Sequence, residues 1–290
     1  MDAFPSHAWL DDRIVAADAL WVSADDPGLT VGDGIFETMR VVRGEVQSLA
    51  AHLARFEATR AALALPRPAT DPAHAIAQVL AQNDLSGRDD LGLRLTLTAR
   101  PTLIVRLRAL TPRDHQRRAG LALHTLPARR GEAFLARYKT LAWNANAVAQ
   151  RLHTDGSDPS FEGLWLDPDG VVLEGTSTNL FAVLDGVVHT APTSLPILPG
   201  VARARVLGAL QALAIPHREV PFTRADLDRA EAIFATNALL PLAPVLTLDG
   251  QSLHKRRVPM PEGPKGRPSP SLEREPLHQI VLRAIVANPA

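Results

Sequence analysis

The spacing of apolar and polar residues predicts a chain that mixes strands and helices. Residues 91–98 carry leucine at every second position, as expected of a strand with one buried face. Residues 49–63 instead carry apolar side chains at helical spacing, which predicts a helix. In the first half of the chain, strands are predicted over residues 35–42, 91–98 and 102–107, and helices over residues 49–63 and 71–80.

The second half follows the same mixed pattern and contains two predicted hairpins. Pro168-Asp169-Gly170 and Asp185-Gly186 each separate two short apolar runs, which is the pattern of a β-hairpin. The residues Thr223 to Asp226 predict the start of a short helix. The predicted strands cover residues 121–125, 161–166, 171–174, 179–184, 187–190, 217–221 and 232–235, and the helices cover residues 144–152, 201–213 and 277–287.

Two segments interrupt this pattern. Residues 111–120 are polar and basic, which predicts a linker between a small N-terminal α/β domain, residues 1–115, and a larger C-terminal domain, residues 116–290. Residues 254–276 are rich in proline and basic residues, which predicts a mobile loop. The predicted fold class is therefore α/β (α+β) in two domains.

Composition narrows the functional classes. Hydrophobic residues make up 46% of the 290 positions and charged residues 21%, as in soluble globular proteins. The net charge of zero gives no electrostatic reason to expect nucleic acid or an anionic membrane as a partner. The chain has no cysteine, its histidines are scattered, and it begins without a signal peptide, so we expect a cytoplasmic protein without a metal site.

Lysine is scarce in this chain. Of the 31 lysine and arginine residues, only Lys139, Lys255 and Lys265 are lysines, and only Lys139 lies in a segment expected to fold. Arginine replaces lysine in most surface roles, but it cannot act as an amine nucleophile because its guanidinium stays protonated. Lys139 is therefore a candidate amine nucleophile, and the alternative is a surface lysine in an arginine-rich protein.

Other features could supply the remaining groups that pyridoxal phosphate requires, a carboxylate for its ring nitrogen and a cradle for its phosphate. Glu174 ends a predicted strand, and Leu198-Pro199-Gly200-Val201 opens a helix whose free N–H groups favour phosphate. Thr236-Asn237 follows a buried strand, and Arg55 could pair bidentately with a phosphate. Each feature also has an ordinary structural explanation, so the combination indicates the cofactor and no single one does.

Six sequence blocks carry a family resemblance over most of the chain. The blocks are Gly32-Asp33-Gly34-Ile35-Phe36-Glu37-Thr38, His52-Leu53-Ala54-Arg55-Phe56, Lys139-Thr140-Leu141 with Asn146, Glu174-Gly175-Thr176-Ser177-Thr178-Asn179-Leu180-Phe181, Leu198-Pro199-Gly200-Val201-Ala202-Arg203 and Ala235-Thr236-Asn237-Ala238-Leu239. In these blocks the sequence resembles the class IV fold of pyridoxal-phosphate enzymes. That family includes branched-chain and D-amino acid aminotransferases and 4-amino-4-deoxychorismate lyase.

The resemblance implies a role for each candidate residue. Lys139 would bind the cofactor aldehyde covalently, Glu174 would bind the pyridine nitrogen, and Arg55 would bind the phosphate. The remaining cofactor contacts would be Val201, Ala202 and Thr236 on the phosphate and Leu198 against the ring. The resemblance also implies a larger domain with a barrel-like sheet, a cofactor between the two domains, and a homodimer that completes the site.

Within the family, residues 32–38 and 237–245 are most similar to the lyase, which converts 4-amino-4-deoxychorismate to pyruvate and the folate precursor 4-aminobenzoate. Lys139 would then act as general base and acid. Thr38 would be a candidate to protonate the departing group, the alternative being a buried strand threonine. Two other interpretations stay open: an aminotransferase for branched-chain or D-amino acids, and a relative that binds the cofactor without turnover.

The chain departs from the family pattern where substrates bind. Many relatives carry a loop rich in glycine and arginine between the two strands that here meet at residues 98–102, and this chain has almost no loop there. Because that loop helps to hold substrate carboxylates, Arg94 and Arg100 are the nearest candidate replacements. Ala202 stands where many relatives have threonine, which implies one phosphate hydroxyl fewer.

Overall fold

The computed structural model describes residues 4–130, 134–153, 158–253 and 277–287. The chain divides into two compact units, residues 1–111 with 138–145 and residues 112–137 with 146–289. Each unit is built around its own β-sheet. The predicted loop over residues 254–276 lies outside the described residues.

The first unit is an antiparallel sheet packed against helices. Its elements are β1 (His7–Leu10), β2 (Arg13–Ala16), α1 (Pro27–Thr30), β3 (Gly34–Val42), β4 (Glu45–Val46), α2 (Leu49–Ala62), α3 (Pro72–Gln82), β5 (Asp90–Thr98) and β6 (Leu103–Ala109). The strand order is β2-β1-β6-β5-β3-β4. The alternating leucines of β5 are buried in one core with Phe56 of α2 and Ile76 and Val79 of α3, as the two periodicities predicted.

The opposite face of this sheet carries polar and charged side chains. Because side chains alternate along a strand, Phe36 and Thr38 of β3 project away from the leucine core. Thr38 pairs in register with Arg94 of β5, and Arg94 pairs in register with Arg106 of β6. Three neighbouring strands therefore place a hydroxyl and two guanidinium groups in one row.

A short turn, residues 99–102, joins β5 to β6, so this chain has almost no loop between the two strands, as predicted. The turn is held by Asp26, which is completely buried. Its carboxylate accepts hydrogen bonds from Gly28 N at 2.7 Å, Thr98 Oγ1 at 2.9 Å and Thr102 Oγ1 at 2.9 Å. The turn is therefore held at both of its ends by one buried carboxylate.

The second unit contains a larger, mixed sheet. Its elements are α4 (Pro112–Ala119), β7 (Leu121–Arg129), α5 (Asn144–His153), β8 (Phe161–Leu166), β9 (Val172–Gly175), β10 (Asn179–Leu184), β11 (Val187–Thr190), α6 (Val201–Ala212), β12 (His217–Glu219), α7 (Arg224–Arg229), β13 (Ala232–Asn237), β14 (Leu240–Leu248), β15 (Gln251–Ser252) and α8 (Leu277–Ala287). The strand order is β12-β11-β10-β13-β14-β7-β8-β9, with β15 on β14. Both predicted hairpins form, as β8–β9 and β10–β11. The Thr223–Asp226 signal forms a capping box at the start of α7.

The segment predicted to be a linker, residues 111–120, contains helix α4 over Pro112–Ala119, which belongs to the second unit. The polar composition that suggested a linker has a buried partner. Arg117 donates to Glu162 Oε2 at 2.6 Å and to the carbonyl of Phe161 at 2.7 Å. The ion pair with Glu162 offsets the unfavourable burial of this arginine and holds the helix against the sheet.

Every helix among the described residues falls short of the length and apolar character that a bilayer crossing requires.

Candidate functional site

Lys139 lies on a segment that hydrogen-bonds to the beginning of β3. The amide of Phe36 donates to the carbonyl of Lys139 at 2.9 Å, and the amide of Leu141 donates to the carbonyl of Gly34 at 2.9 Å. A Cβ atom at position 34 would lie 2.5 Å from the backbone carbonyl oxygen of Leu97 and 2.7 Å from Leu141 Cδ1, so only glycine permits this approach. The backbone from the carbonyl of Lys139 to the amide of Leu141 is therefore fixed by β3.

The side chain of Lys139 belongs to a group of cations and aromatic rings that we name the Lys139 cluster: Phe36, Arg94, Lys139 and Trp143. Lys139 Nζ lies 4.5 Å from the Phe36 ring centroid and 5.1 Å from that of Trp143. Arg94 Cζ lies 3.8 Å from the Phe36 centroid. Because aromatic faces attract cations, the Phe36 ring stabilises the positions of both the amine and the guanidinium.

The sequence predicted Lys139 and Arg94 of this cluster but not its two aromatic residues. Phe36 and Trp143 meet edge to face, with centroids 5.9 Å apart and an interplanar angle of 87°. The available signal for Phe36 was the strand periodicity, which puts it on the same face as Thr38 and Arg94. Trp143 carried no comparable signal, since its position follows from the path of the chain after Lys139.

Arg55 is bound by a buried carboxylate of the same unit. Its Nε donates to Glu37 Oε1 at 2.8 Å, and its Nη2 donates to Glu37 Oε2 at 2.6 Å. His52 Nδ1 lies 2.8 Å from Glu37 Oε2, and this histidine is buried. Glu37 thus sets the direction of the guanidinium that the sequence assigned to the phosphate.

The pKa of Glu37 reflects these contacts. Burial by itself would raise it, but hydrogen bonds from His52 and Arg55, together with the positive charge of Arg55, lower the pKa to about 2. Sequence reasoning did not single out Glu37. A carboxylate at a core-facing strand position between Ile35 and Met39 was the available signal, because such a group requires a buried partner.

Glu174 lies near the end of β9 in the second unit and is 5% exposed. Its Oε1 accepts a hydrogen bond from Arg130 Nη1 at 2.6 Å, and its Oε2 accepts one from the amide of Leu198 at 2.9 Å. Arg130, which the sequence did not identify, also stacks on Trp165, with its Cζ 4.9 Å from the ring centroid. A carboxylate held in this way is an oriented hydrogen-bond acceptor, the group that a protonated pyridine nitrogen requires.

The N-terminus of α6 approaches the Glu174 turn closely. Asn179 Nδ2 donates to the carbonyl of Leu198 at 3.0 Å, and a Cβ atom at Gly200 would lie only 2.1 Å from Asn179 Oδ1. Gly200 is the N-cap of α6 and makes no side-chain capping bond. The amides of Val201 and Ala202, in the first turn, are therefore not capped by the Gly200 position and are suited to an anion.

Thr236 uses its hydroxyl within its own turn. Thr236 Oγ1 donates to the carbonyls of Leu240 and Pro241, so the hydroxyl is already engaged. Asn237 follows it and donates from Nδ2 to the carbonyl of Ser177 at 3.1 Å. The turn after β13 is thus tied to the turn that follows Glu174.

Glu162 holds the turn that follows Glu174 by hydrogen bonds to Ser177 and Thr178. It is fully buried, and it accepts hydrogen bonds from the amide of Ser177 at 2.7 Å and from Thr178 Oγ1 at 2.8 Å. The ion pair between Arg117 and Glu162 therefore reaches the backbone that carries Glu174.

These groups fit pyridoxal phosphate chemically. Taken by itself, the first unit contains an amine at Lys139 and an oriented guanidinium at Arg55. Taken by itself, the second unit contains the Glu174 acceptor and the amides of α6. Thr38, Arg94 and Arg100, the candidate substrate residues, do not all lie on the same face of the sheet. Thr38 and Arg94 share one sheet face, whereas Arg100 lies beyond β5 on the turn and donates to Ser23 Oγ at 3.4 Å.

The amino-transferase class IV family model matches residues 34–248. The chain belongs to this family.

Two curated relatives and one solved structure illustrate the similarity. The chain is 27% identical over 261 residues to D-alanine aminotransferase of Bacillus licheniformis, covering 83% of this chain and 88% of that protein. It is 28% identical over 267 residues to a putative branched-chain-amino-acid aminotransferase of Methanocaldococcus jannaschii, covering 86% and 90%. The structure of 4-amino-4-deoxychorismate lyase from Pseudomonas aeruginosa is 29% identical, covers 84% of this chain and 92% of that chain, and has a TM-score of 0.68.

Membership of class IV confirms three predictions. The mixed α/β fold with a curled half-barrel sheet is the class IV aminotransferase fold. The chain is an enzyme, and its cofactor is pyridoxal phosphate. Class IV contains both aminotransferases and lyases, so the family by itself leaves the reaction open.

Glu37 should make stability depend on pH. Its pKa of about 2 in the folded chain lies below its ordinary value of 4.5. The ionised pair therefore stabilises the fold fully above about pH 4.5, by about 3 kcal/mol, and this stabilisation is lost as the pH falls towards 2. We expect Glu37→Gln to lower the urea midpoint at pH 7 and the difference from the parent to narrow as pH is lowered to about 3.

The control for this experiment is Glu45→Gln, at an exposed position of β4, which should match the parent at every pH. A difference between Glu37→Gln and the parent that stayed constant from pH 7 to pH 3 would contradict the assignment.

Proposed function

We propose that this class IV enzyme is a 4-amino-4-deoxychorismate lyase. In that reaction the bond between the ring carbon and the enolpyruvyl oxygen breaks, the ring loses a proton and becomes aromatic, and the enolpyruvyl methylene carbon gains a proton. The products are 4-aminobenzoate and pyruvate.

The Lys139 cluster, together with Thr38, is the observation that supports this proposal. Thr38 lies in register with Arg94, and the Arg94 guanidinium shares the Phe36 ring with the Lys139 amine. Lyase chemistry needs a base for the ring proton, a donor for the enolpyruvyl carbon and a cation for the substrate carboxylate. Lys139, Thr38 and Arg94, in that order, are the groups we assign to these roles.

Pyridoxal phosphate, when bound, supplies an aldehyde that combines with amines and a protonated ring that withdraws electrons. Lys139 would hold that aldehyde through its amine, and the amine, when free, would accept and return protons. Glu174, oriented by Arg130 and the amide of Leu198, would accept a hydrogen bond from the ring nitrogen.

Charge and backbone donors would hold the phosphate. Arg55 would supply the charge, in a direction set by Glu37. Val201 and Ala202 would supply amides at the N-terminus of α6. The hydroxyl of Thr236 is engaged elsewhere, so this residue would supply a backbone amide, and Leu198 would pack on the ring.

The second candidate function is that of an aminotransferase for branched-chain or D-amino acids. It is favoured by the two curated relatives, both described as aminotransferases and both matched over more than four-fifths of this chain. An aminotransferase would use the same cofactor residues, with Arg94 or Arg100 on the substrate carboxylate. The two candidate functions differ in the fate of the substrate amino group: an aminotransferase would transfer it to the cofactor, whereas the lyase would leave it on the product 4-aminobenzoate.

A homodimer is also part of the proposal. Trp21, Leu29 and Val31 lie close together in sequence and are 66%, 65% and 74% exposed, which is unusual for large apolar side chains. A second copy of the chain would cover them. Light scattering should give the mass of two chains, and Trp21→Ser with Val31→Ser should shift that mass towards one chain; a parent protein with the mass of one chain would refute the dimer.

Lys139→Ala should abolish the visible absorption of covalently bound pyridoxal phosphate, because no other amine of the chain is assigned to the aldehyde. Lys139→Arg should behave in the same way, since guanidinium is not a nucleophile. The matched control is Lys255→Ala, which should retain the full absorption. Unchanged absorption in Lys139→Ala would refute the assignment of Lys139.

The lyase is tested by offering 4-amino-4-deoxychorismate to the purified enzyme and measuring 4-aminobenzoate. We expect product from the parent and from Thr38→Ser, and a loss of about 100-fold in kcat for Thr38→Val, which replaces the hydroxyl with a methyl group of similar size. A panel of amino acids provides the alternative outcome. Stoichiometric bleaching of the cofactor absorption by an amino acid, with no 4-aminobenzoate from the chorismate derivative, would establish the aminotransferase instead.

A further inference from the structure

The last turn of α4 carries two adjacent arginines, Arg117 and Arg118, which contact two different turns of the second sheet. The β9–β10 turn, residues 176–178, follows the strand that contains Glu174, and the β13–β14 turn, residues 238–239, follows the strand that contains Thr236. Because β10 and β13 are antiparallel neighbours, the start of β10 and the end of β13 lie at the same end of the sheet. One helix end can therefore contact both turns.

Arg117 contacts the β9–β10 turn both directly and through a buried carboxylate. Its Nη2 donates to Ser177 Oγ at 3.1 Å and to Glu162 Oε2 at 2.6 Å. Glu162 Oε1 accepts hydrogen bonds from the amide of Ser177 at 2.7 Å and from Thr178 Oγ1 at 2.8 Å. One guanidinium thus fixes the side chain of Ser177 and, through Glu162, its backbone, three residues beyond Glu174.

Arg118 contacts the β13–β14 turn. Its Nε donates to the carbonyl of Leu239 at 2.8 Å. Asn237 Oδ1 accepts hydrogen bonds from the amides of Leu239 and Leu240, both at 2.9 Å. The bonds of Asn237 Oδ1 shape the turn from within, whereas the bond from Arg118 attaches the turn to α4.

The two turns are also bonded to each other, since Asn237 Nδ2 donates to the carbonyl of Ser177 at 3.1 Å. The hydrogen bonds therefore form a ring that leaves α4 at Arg117, passes through Ser177, Asn237 and Leu239, and returns to α4 at Arg118. Movement of either turn relative to the helix would lengthen at least one of these bonds, and the bonds to the arginines are charge-assisted.

Helix α4 is itself well placed to hold the turns. The negative end of its dipole lies in the last turn, where it favours the charges of Arg117 and Arg118. A Cβ atom at Gly120 would overlap the side chain of Leu246, so the end of α4 packs closely against β14.

We infer that Arg117 and Arg118 are positioning residues, which place the turns next to Glu174 and Thr236 without contacting the cofactor themselves. Arg117 sets the direction of the carboxylate that faces the pyridine nitrogen, and Arg118 sets the position of the Thr236 amide that faces the phosphate. The consequence for the cofactor rests on the proposed roles of Glu174 and Thr236. The placement of the turns by α4 does not depend on those roles.

Hydrogen exchange of the full chain, followed by mass spectrometry, tests the placement of the β13–β14 turn. Arg118→Met removes the donor but keeps a long side chain, and the amides of residues 238–240 should exchange about tenfold faster than in the parent. Arg118→Lys keeps a cation that can donate to the carbonyl of Leu239 and should restore most of the protection. Unchanged exchange of residues 238–240 in Arg118→Met would overturn the inference.

Arg117→Lys is the corresponding change for the β9–β10 turn. It keeps a cation beside the buried Glu162, so the chain should fold, but it loses the planar fork that contacts several acceptors at once. Residues 176–178 should then exchange about tenfold faster. Arg113→Met, at an exposed position of the same helix, is the matched control and should leave both turns at the parent rate.

Titration of the same variants with pyridoxal phosphate and with pyridoxal, which lacks the phosphate, shows what each turn positions. Arg118→Met should lose about tenfold in affinity for pyridoxal phosphate and keep its affinity for pyridoxal, because only a phosphate contact is displaced. Arg117→Lys should weaken both compounds by a similar factor, because both contain the ring.

A general loss of stability in Arg118→Met would instead weaken both compounds equally, and that result would overturn the role of Arg118. Faster exchange of both turns with unchanged affinities would confirm their placement by α4 and refute the proposed cofactor roles of Glu174 and Thr236. Failure of the inference and failure of the proposed function are therefore distinguishable.

Discussion

Buried carboxylates held by arginine are the interactions on which the rest of this structure depends. Glu37 with Arg55, Glu162 with Arg117 and Glu174 with Arg130 each join a carboxylate at most 5% exposed to a guanidinium. Loss of one partner from such a pair costs about 3–5 kcal/mol, because it leaves an uncompensated charge inside the protein. Each pair also fixes a direction, and these directions determine where the candidate cofactor residues point.

The same interactions explain the unusual balance of basic residues. A planar guanidinium donates two parallel hydrogen bonds to one carboxylate, as Arg55 does to Glu37 and Arg40 does to Asp90. An ammonium group cannot reproduce that geometry, so lysine would be a poor substitute at these positions. Arginine thus performs these structural tasks, and Lys139 is the residue that we propose for a task that requires an amine.

Much of the fold could be predicted from local signals. The turn at Pro168-Asp169-Gly170 and the cap at Thr223 act within a few residues, so their hairpin and helix followed directly from the sequence. Helix α4 did not, because the partner of Arg117 is Glu162, and a composition-based argument cannot detect a pair that distant in sequence. The candidate site divides in the same way: Lys139 stood out by its chemistry, whereas Arg130 became apparent only through its contact with Glu174.

The turn between β5 and β6 has a consequence for how ligands enter. Thr98 and Thr102 are both hydrogen-bonded to Asp26, so the turn is too short and too constrained to close over a bound ligand and exclude water. Recognition on this side would rely on side chains that are preorganised before the encounter, which reduces the entropy lost on association. Exchange of small acids would then be limited by diffusion and electrostatic attraction, and no gating step at this edge would delay product escape.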